Sequence, residues 1–228
     1  MRYWFASCGI LDEARRLEWP PVVVDLGCER GVLKSLCAAW PKMRWIGLDL
    51  DTSHPRLAKA GYDETYACDF DQPLPLPPHS ADIVICLHVF EHLPRPAFTL
   101  GEIRRILQPG GILLAGTPTA PNWVAYLRER QFARALAAGR RPKGSHIHCL
   151  SPGRLRKLTR REGLVVEFMC GSHMMRLSGF PLENFRWWIR FNQLWGALFP
   201  ALGSEVYFQA RFLPELSAPC RRNVRAPS

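Results

Sequence analysis

At 228 residues, 47% apolar and 22% charged, the chain can bury a sizeable core and has a globular balance, which excludes disorder and a coiled coil. Its net charge of +10 suits an anionic partner such as nucleic acid or an acidic membrane surface, and equally an arginine-rich solvated surface. Eight cysteines without any Cys-x-x-Cys spacing point to a reducing compartment, with neither a disulfide framework nor a zinc site.

The opening "MRYWFASCGILDEARR" holds a short apolar run broken by Asp12 and Glu13, too short for a secretory signal. No run of about 18 uncharged apolar residues occurs, so no membrane-spanning helix is expected. From Val22 onward, apolar runs alternate with helical patterns. "VVVDL", between Pro20–Pro21 and Gly27, predicts a buried strand. "GVLKSLCAAW" repeats apolar residues at helical spacing until Pro41, and "RWIGLDL" predicts the second strand. Ser53 as N-cap, Pro55 in the first turn and Gly61 as stop frame a short helix.

"TYAC" predicts a third strand and "DQPLPLPPHS" a loop. "ADIVICL" is a fourth strand whose unbroken apolar run implies cover on both faces. "FTLGEIRRILQPGG" predicts a helix ending at Pro109–Gly110–Gly111, followed by "ILLAGT" as the fifth strand. "NWVAYLRERQFARALAAG" reads as a longer basic amphipathic helix. "SPGRLRKLTRREG" reads as another, capped by Ser151 with Pro152 at its first position. "LVVEFMC" and "VYFQARF" complete seven strands. Such alternation over about 110 residues predicts an α/β fold, a doubly wound, mostly parallel sheet with its ligand beyond the carboxyl ends of the strands.

The first strand leads into "DLGCERG", the expected binding turn. A dinucleotide loop would need glycine where this chain has Glu29. A carboxylate about 4 Å from a pyrophosphate costs roughly 1–4 kcal/mol, which disfavours NAD and FAD. A phosphate-free cationic nucleoside meets no such penalty. S-adenosylmethionine is one, with Asp25 and Glu29 near its positive groups. Asp49 ends the second strand, where its forked carboxylate can accept both ribose hydroxyls, and Leu50 can lie on an adenine face. Asp69 ends the third strand, where it can take the adenine amino group, with the backbone of Phe70 beside it.

In order, "VVVDLGCERG", "WIGLDLD", "ACDFDQPLPLP", "ADIVICLHVFEHLP" and "LQPGGILLAGTP" resemble the class I S-adenosylmethionine-dependent methyltransferases, in their small-molecule branch. The resemblance covers residues 20–170 and, with the closing strand, extends to about 212. It implies a Rossmann-like seven-stranded sheet with an antiparallel last strand, and cofactor contact at Asp25, Gly27, Gly31, Asp49, Asp69, Phe70 and around Leu87. It also implies that Glu91 and His92 fix the turn after the fourth strand. Glu29 departs from the family, which has glycine there, and predicts backbone strain of about 1 kcal/mol.

In "HVFEHLP", His88, Glu91 and His92 lie beside the site, where they could be paired acid–base groups; they match no strong metal spacing, and no metal is expected. In "SHIHCLSP", His146 and His148 precede a helix on the open side, where an imidazole suits removal of a proton from a hydroxyl, so these two are the catalytic candidates. The expected protein is a cytoplasmic methyltransferase acting on a small, apolar or lipid-like acceptor. Its methyltransferase domain would span residues 1–213, with a basic tail at 214–228. An aromatic helical insert at about 172–205 is expected over the sheet, with residues 180–199 as a peripheral contact to the inner face of the membrane. The rival readings are an RNA methyltransferase, favoured by the basic helices but lacking an Asn/Asp-Pro-Pro-aromatic corner, and a non-catalytic S-adenosylmethionine-binding protein, favoured by Glu29.

Overall fold

The computed structural model describes residues 2–40, 42–139, 148–173 and 181–213. Pro41, His146, Met174, Met175, Phe180 and the basic tail therefore lie outside the described residues. Seven strands form one sheet: β1 (Val22–Leu26), β2 (Arg44–Asp49), β3 (Glu64–Ala67), β4 (Ala81–Leu87), β5 (Leu107–Pro118), β6 (Leu164–Ser172) and β7 (Glu205–Phe212). Their order is β3-β2-β1-β4-β5-β7-β6. β7 pairs antiparallel with both β5 and β6, and the other pairings are parallel.

Each central strand feeds two cores. Val24, Ile46, Val84 and Leu113 face one side, and Val23, Trp45, Ile83 and Leu114 face the other. Helices cover both sides: α1 (Arg2–Arg16), α2 (Val32–Leu36), α3 (Pro55–Lys59), α4 (Pro96–Ile106), α5 (Asn122–Ala137), α6 (Pro152–Arg161) and α7 (Arg186–Leu198). Burial on both faces explains the unbroken apolar runs. Ser151 caps α6 as expected, its Oγ accepting the Arg154 N–H at 3.4 Å.

Three local expectations change. The cap of α3 is His54, whose Nδ1 accepts the Arg56 N–H at 3.1 Å, while the Ser53 N–H goes to Asp51 Oδ1. Helix α4 ends at Ile106, because buried Leu107 turns extended and pairs with Ala81, so β5 starts five residues before Ile112. The opening stretch, assigned no element from sequence, is α1. Its Phe5, Ala6 and Ile10 repeat at helical spacing and fill the second core.

Glu13 on α1 is buried and paired. Arg211 on β7 donates to its two carboxylate oxygens at 2.8 and 3.0 Å, and also to Glu167 on β6 at 2.6 Å. These bonds, to Glu13 first, push the Arg211 guanidinium further up and hold it charged. Removing one member of such a buried set leaves an unpaired charge. Arg211→Ala is therefore expected to lower unfolding stability by about 3–5 kcal/mol in urea titrations, with Glu13→Gln plus Arg211→Met recovering most of that loss.

Candidate active site

The reversal in strand order falls between β1 and β4, where a crevice opens beyond the strand ends. A cavity of about 510 Å³ occupies it, walled by the segments that follow β1, β2, β3 and β4. Asp25, Gly27, Glu29, Asp49, Leu50, Asp69, Phe70 and Leu87 all line this cavity. Gly31 does not. Its φ is 68°, and a Cβ there would stand 2.2 Å from Ala60 Cβ, so its role is to let the start of α2 pass close to α3.

The loop after β1 is tied to the end of β2. Leu48 O accepts the Gly27 and Cys28 N–H groups at 2.8 and 3.2 Å, and Asp49 Oδ2 accepts the Glu29 N–H at 2.7 Å. Glu29 has φ 43°, so the departure from glycine does place a side-chain-bearing residue in left-handed backbone. Its carboxylate is 66% exposed and lies 3.2 Å from Arg30 Nε. Asp69 forms an Asx turn, its Oδ1 accepting the Asp71 N–H at 2.9 Å, while still lining the cavity.

Asp25 is buried at the floor and accepts the Tyr62 hydroxyl at 2.6 Å. Burial above all, with nearby Asp49 adding, pushes its carboxyl up to about 6 despite the Tyr62 bond. Two thiols share the cavity. Burial pushes Cys28 up to about 12 and Cys68 up to about 11, so both are uncharged at neutral pH.

The opposite wall holds His88 and His92, on either side of Glu91. Glu91 is 1% exposed, with Oε1 3.5 Å from His88 Nδ1 and 3.9 Å from His92 Nε2. Its other oxygen accepts the Thr117 hydroxyl at 3.0 Å, and its carbonyl accepts the His148 N–H at 3.2 Å. Glu91 thus braces the turn after β4 and stands behind His88 and His92, with His88 Nε2 itself buried. His148 stands at the rim, with its Nε2 3.3 Å from Pro94 O, and does not itself line the cavity. The sequence places His88 and His92 beside the site, but sequence reasoning passed over Arg2 and Tyr3, which α1 brings to the cavity. The helical period of Phe5, Ala6 and Ile10 was the signal for the latter. Among the described residues, no group of three or more His, Cys, Asp or Glu side chains is placed to hold a metal ion.

A methyltransferase-domain model matches residues 6–167. The chain belongs to that methyltransferase family. It is 30% identical over 162 residues to a ubiquinone biosynthesis O-methyltransferase of Saccharophagus degradans, spanning 65% of this chain and 65% of that relative's length. Against the same-named protein of Aeromonas salmonicida it is 29% identical over 164 residues, 68% of each. Its fold matches that of an S-adenosylmethionine-dependent methyltransferase from Mesorhizobium loti with a TM-score of 0.64 and 20% identity, covering 92% of this chain and 98% of that one.

The cofactor of this methyltransferase domain is S-adenosylmethionine. The cavity suits a cationic nucleoside: two carboxylates stand at adjacent strand ends, the thiols are neutral, and Gly27 at φ 78° leaves room that a Cβ, 2.6 Å from Val89 Cγ2, would fill. Asp49→Ala is expected to weaken S-adenosylmethionine binding at least tenfold in calorimetry, with the fold retained, since charge-assisted bonds are worth roughly 1.5–3 kcal/mol each. Asp25 supplies a pH dependence. It is mostly protonated below about 6, where its attraction for a cation is lost. Affinity should therefore rise from pH 5 to about pH 7, with proton release on binding below about 6, and Asp25→Asn should flatten that rise.

Proposed function

We propose that the protein transfers the methyl group of S-adenosylmethionine to a hydroxyl oxygen on a small aromatic acceptor with a lipid-like substituent. The observation that carries this reading is that a single cavity holds the acidic loop set on one side and two Glu91-backed imidazoles on the other. The two relatives, both ubiquinone biosynthesis O-methyltransferases by name, support oxygen as the methylated atom and a lipid-like acceptor.

Asp49 would hold the ribose, Asp25 and the loop from Gly27 to Glu29 the charged end, and Asp69 with Leu50 and Phe70 the base. When bound, S-adenosylmethionine supplies an electrophilic methyl group on cationic sulfur. His92 would take the proton of the acceptor hydroxyl at a ring nitrogen, and the adjacent Glu91 carboxylate would stabilise the imidazolium so formed. Apolar walls at Leu87, Val89 and Leu93 would keep water from the reacting oxygen and hold the acceptor ring in place. His148, tied to Glu91 through its backbone, would border the entrance.

The test is incubation with S-adenosylmethionine and catechols bearing alkyl chains, with the product identified by mass spectrometry. An O-methylated product is expected. Glu91→Gln should lower kcat by about 10²-fold or more while cofactor affinity stays unchanged. Cofactor binding without transfer to any phenol would instead favour the non-catalytic reading.

A further inference from the structure

Helix α7 meets the rest of the molecule through one face. Asn192 and Gly196 are buried there. A Cβ at Gly196 would stand 2.8 Å from His173 N, and one at Gly171 would stand 2.4 Å from Gly196 O, so the helix backbone lies directly on the end of β6. The opposite face carries Trp187, Phe191, Leu194 and Leu198, which are 59%, 43%, 60% and 63% exposed. At 3.6 residues per turn these four fall within about 60° of arc, nearly opposite Asn192 and Gly196. Ring contacts run the length of the helix, from Trp187–Trp188 at 5.8 Å to Trp195–Phe199 at 4.9 Å. Arg186 and Arg190 flank the stripe on one side, and α7 contains no acidic residue.

Strand register fixes where this helix sits. Ser172, Glu205 and Pro118 lie side by side, two positions beyond the level of Gly116, which pairs with cavity-lining Leu87. The chain therefore leaves β6 toward α7 at the cavity end of the sheet. The same end launches α5, whose first turns expose Trp123, Tyr126 and Leu127.

We propose that α7 docks the protein on an anionic lipid surface. It lies in the plane of the interface, with Trp187, Phe191, Leu194 and Leu198 among the acyl chains and Arg186 and Arg190 at the lipid phosphates. Its 13 residues span about 20 Å, short of the roughly 30 Å hydrocarbon core, so it rests in the interface and does not cross it. Charge decides between a bilayer and a second copy of the chain. A copy of α7 offers no carboxylate to the two arginines, whereas an anionic bilayer offers many, and the net charge of +10 draws the protein to it. The proposal concerns a partner and holds whatever the acceptor.

Sedimentation with phosphatidylglycerol–phosphatidylcholine vesicles tests it. At low salt the protein is expected to co-sediment, at least tenfold more tightly than with pure phosphatidylcholine. Trp187→Ser plus Leu194→Ser should weaken vesicle binding at least tenfold, with melting temperature and cofactor affinity unchanged because both side chains are exposed. Arg186→Gln plus Arg190→Gln should erase the preference for anionic lipid. Absence of co-sedimentation, or undiminished binding by the Trp187/Leu194 variant, would overturn the proposal. So would a dimer, detected by light scattering, that this variant dissociates, since the stripe would then belong to a second copy.

Discussion

Two carboxylates placed close together at adjacent strand ends set the terms for the whole site. Parallel pairing puts Asp25 opposite Gly47, so Asp49 emerges just beyond it on the neighbouring strand. Burial above all raises the cost of ionising Asp25, and the neighbouring Asp49 charge adds to it. Tyr62 offsets part of that cost. Its ring reaches Asp25 only because Gly47 has no side chain: a Cβ there would stand 3.1 Å from Tyr62 Cδ1 and 3.0 Å from Cys28 Sγ. The same ring meets Trp45 edge-on in the core. The electrostatics of the site are thereby coupled to core packing.

Two residues in strained backbone also sit at this place. Glu29 and His88 both line the cavity in left-handed backbone that side chains disfavour. Each is pinned by its own N–H, Glu29 to Asp49 Oδ2 at 2.7 Å and His88 to Gly116 O at 2.7 Å. In both cases the neighbouring strand end supplies the acceptor that offsets the strain. The loop after β1 and the turn after β4 keep shapes that a free peptide would relax.

The strands and their terminal acids were legible because apolar runs and acids adjoin in the sequence itself. Asp49 closes β2 as expected and Asp25 is the last residue but one of β1, whereas Asp69 lies two residues beyond β3, which ends at Ala67. What stayed illegible depends on partners far along the chain. Glu13 looks like a break in an apolar run until Arg211 is placed against it. Gly31 reads as part of a binding loop, and the nearness of Ala60 adds a packing demand that the sequence does not show. His88 and His92 line the cavity because a 3₁₀ turn and a left-handed residue orient them, which spacing alone does not encode. His54 takes the place of Ser53 as a helix cap because an imidazole nitrogen can accept the Arg56 N–H as a hydroxyl would, a use of histidine that the usual cap residues do not suggest.

The pairing of Glu13 with Arg211 also governs timing. A ribosome releases α1 early, yet the guanidinium that neutralises Glu13 is added 198 residues later. Contacts of such long sequence separation form late in folding. Until then Glu13 has Arg16 of its own helix, 3.4 Å away, as its partner, and α1 lacks its two-pronged tie to the last strand. The helix whose Arg2 and Tyr3 form this lip of the cavity gains its tie through Arg211 only once the final strand lies between β5 and β6.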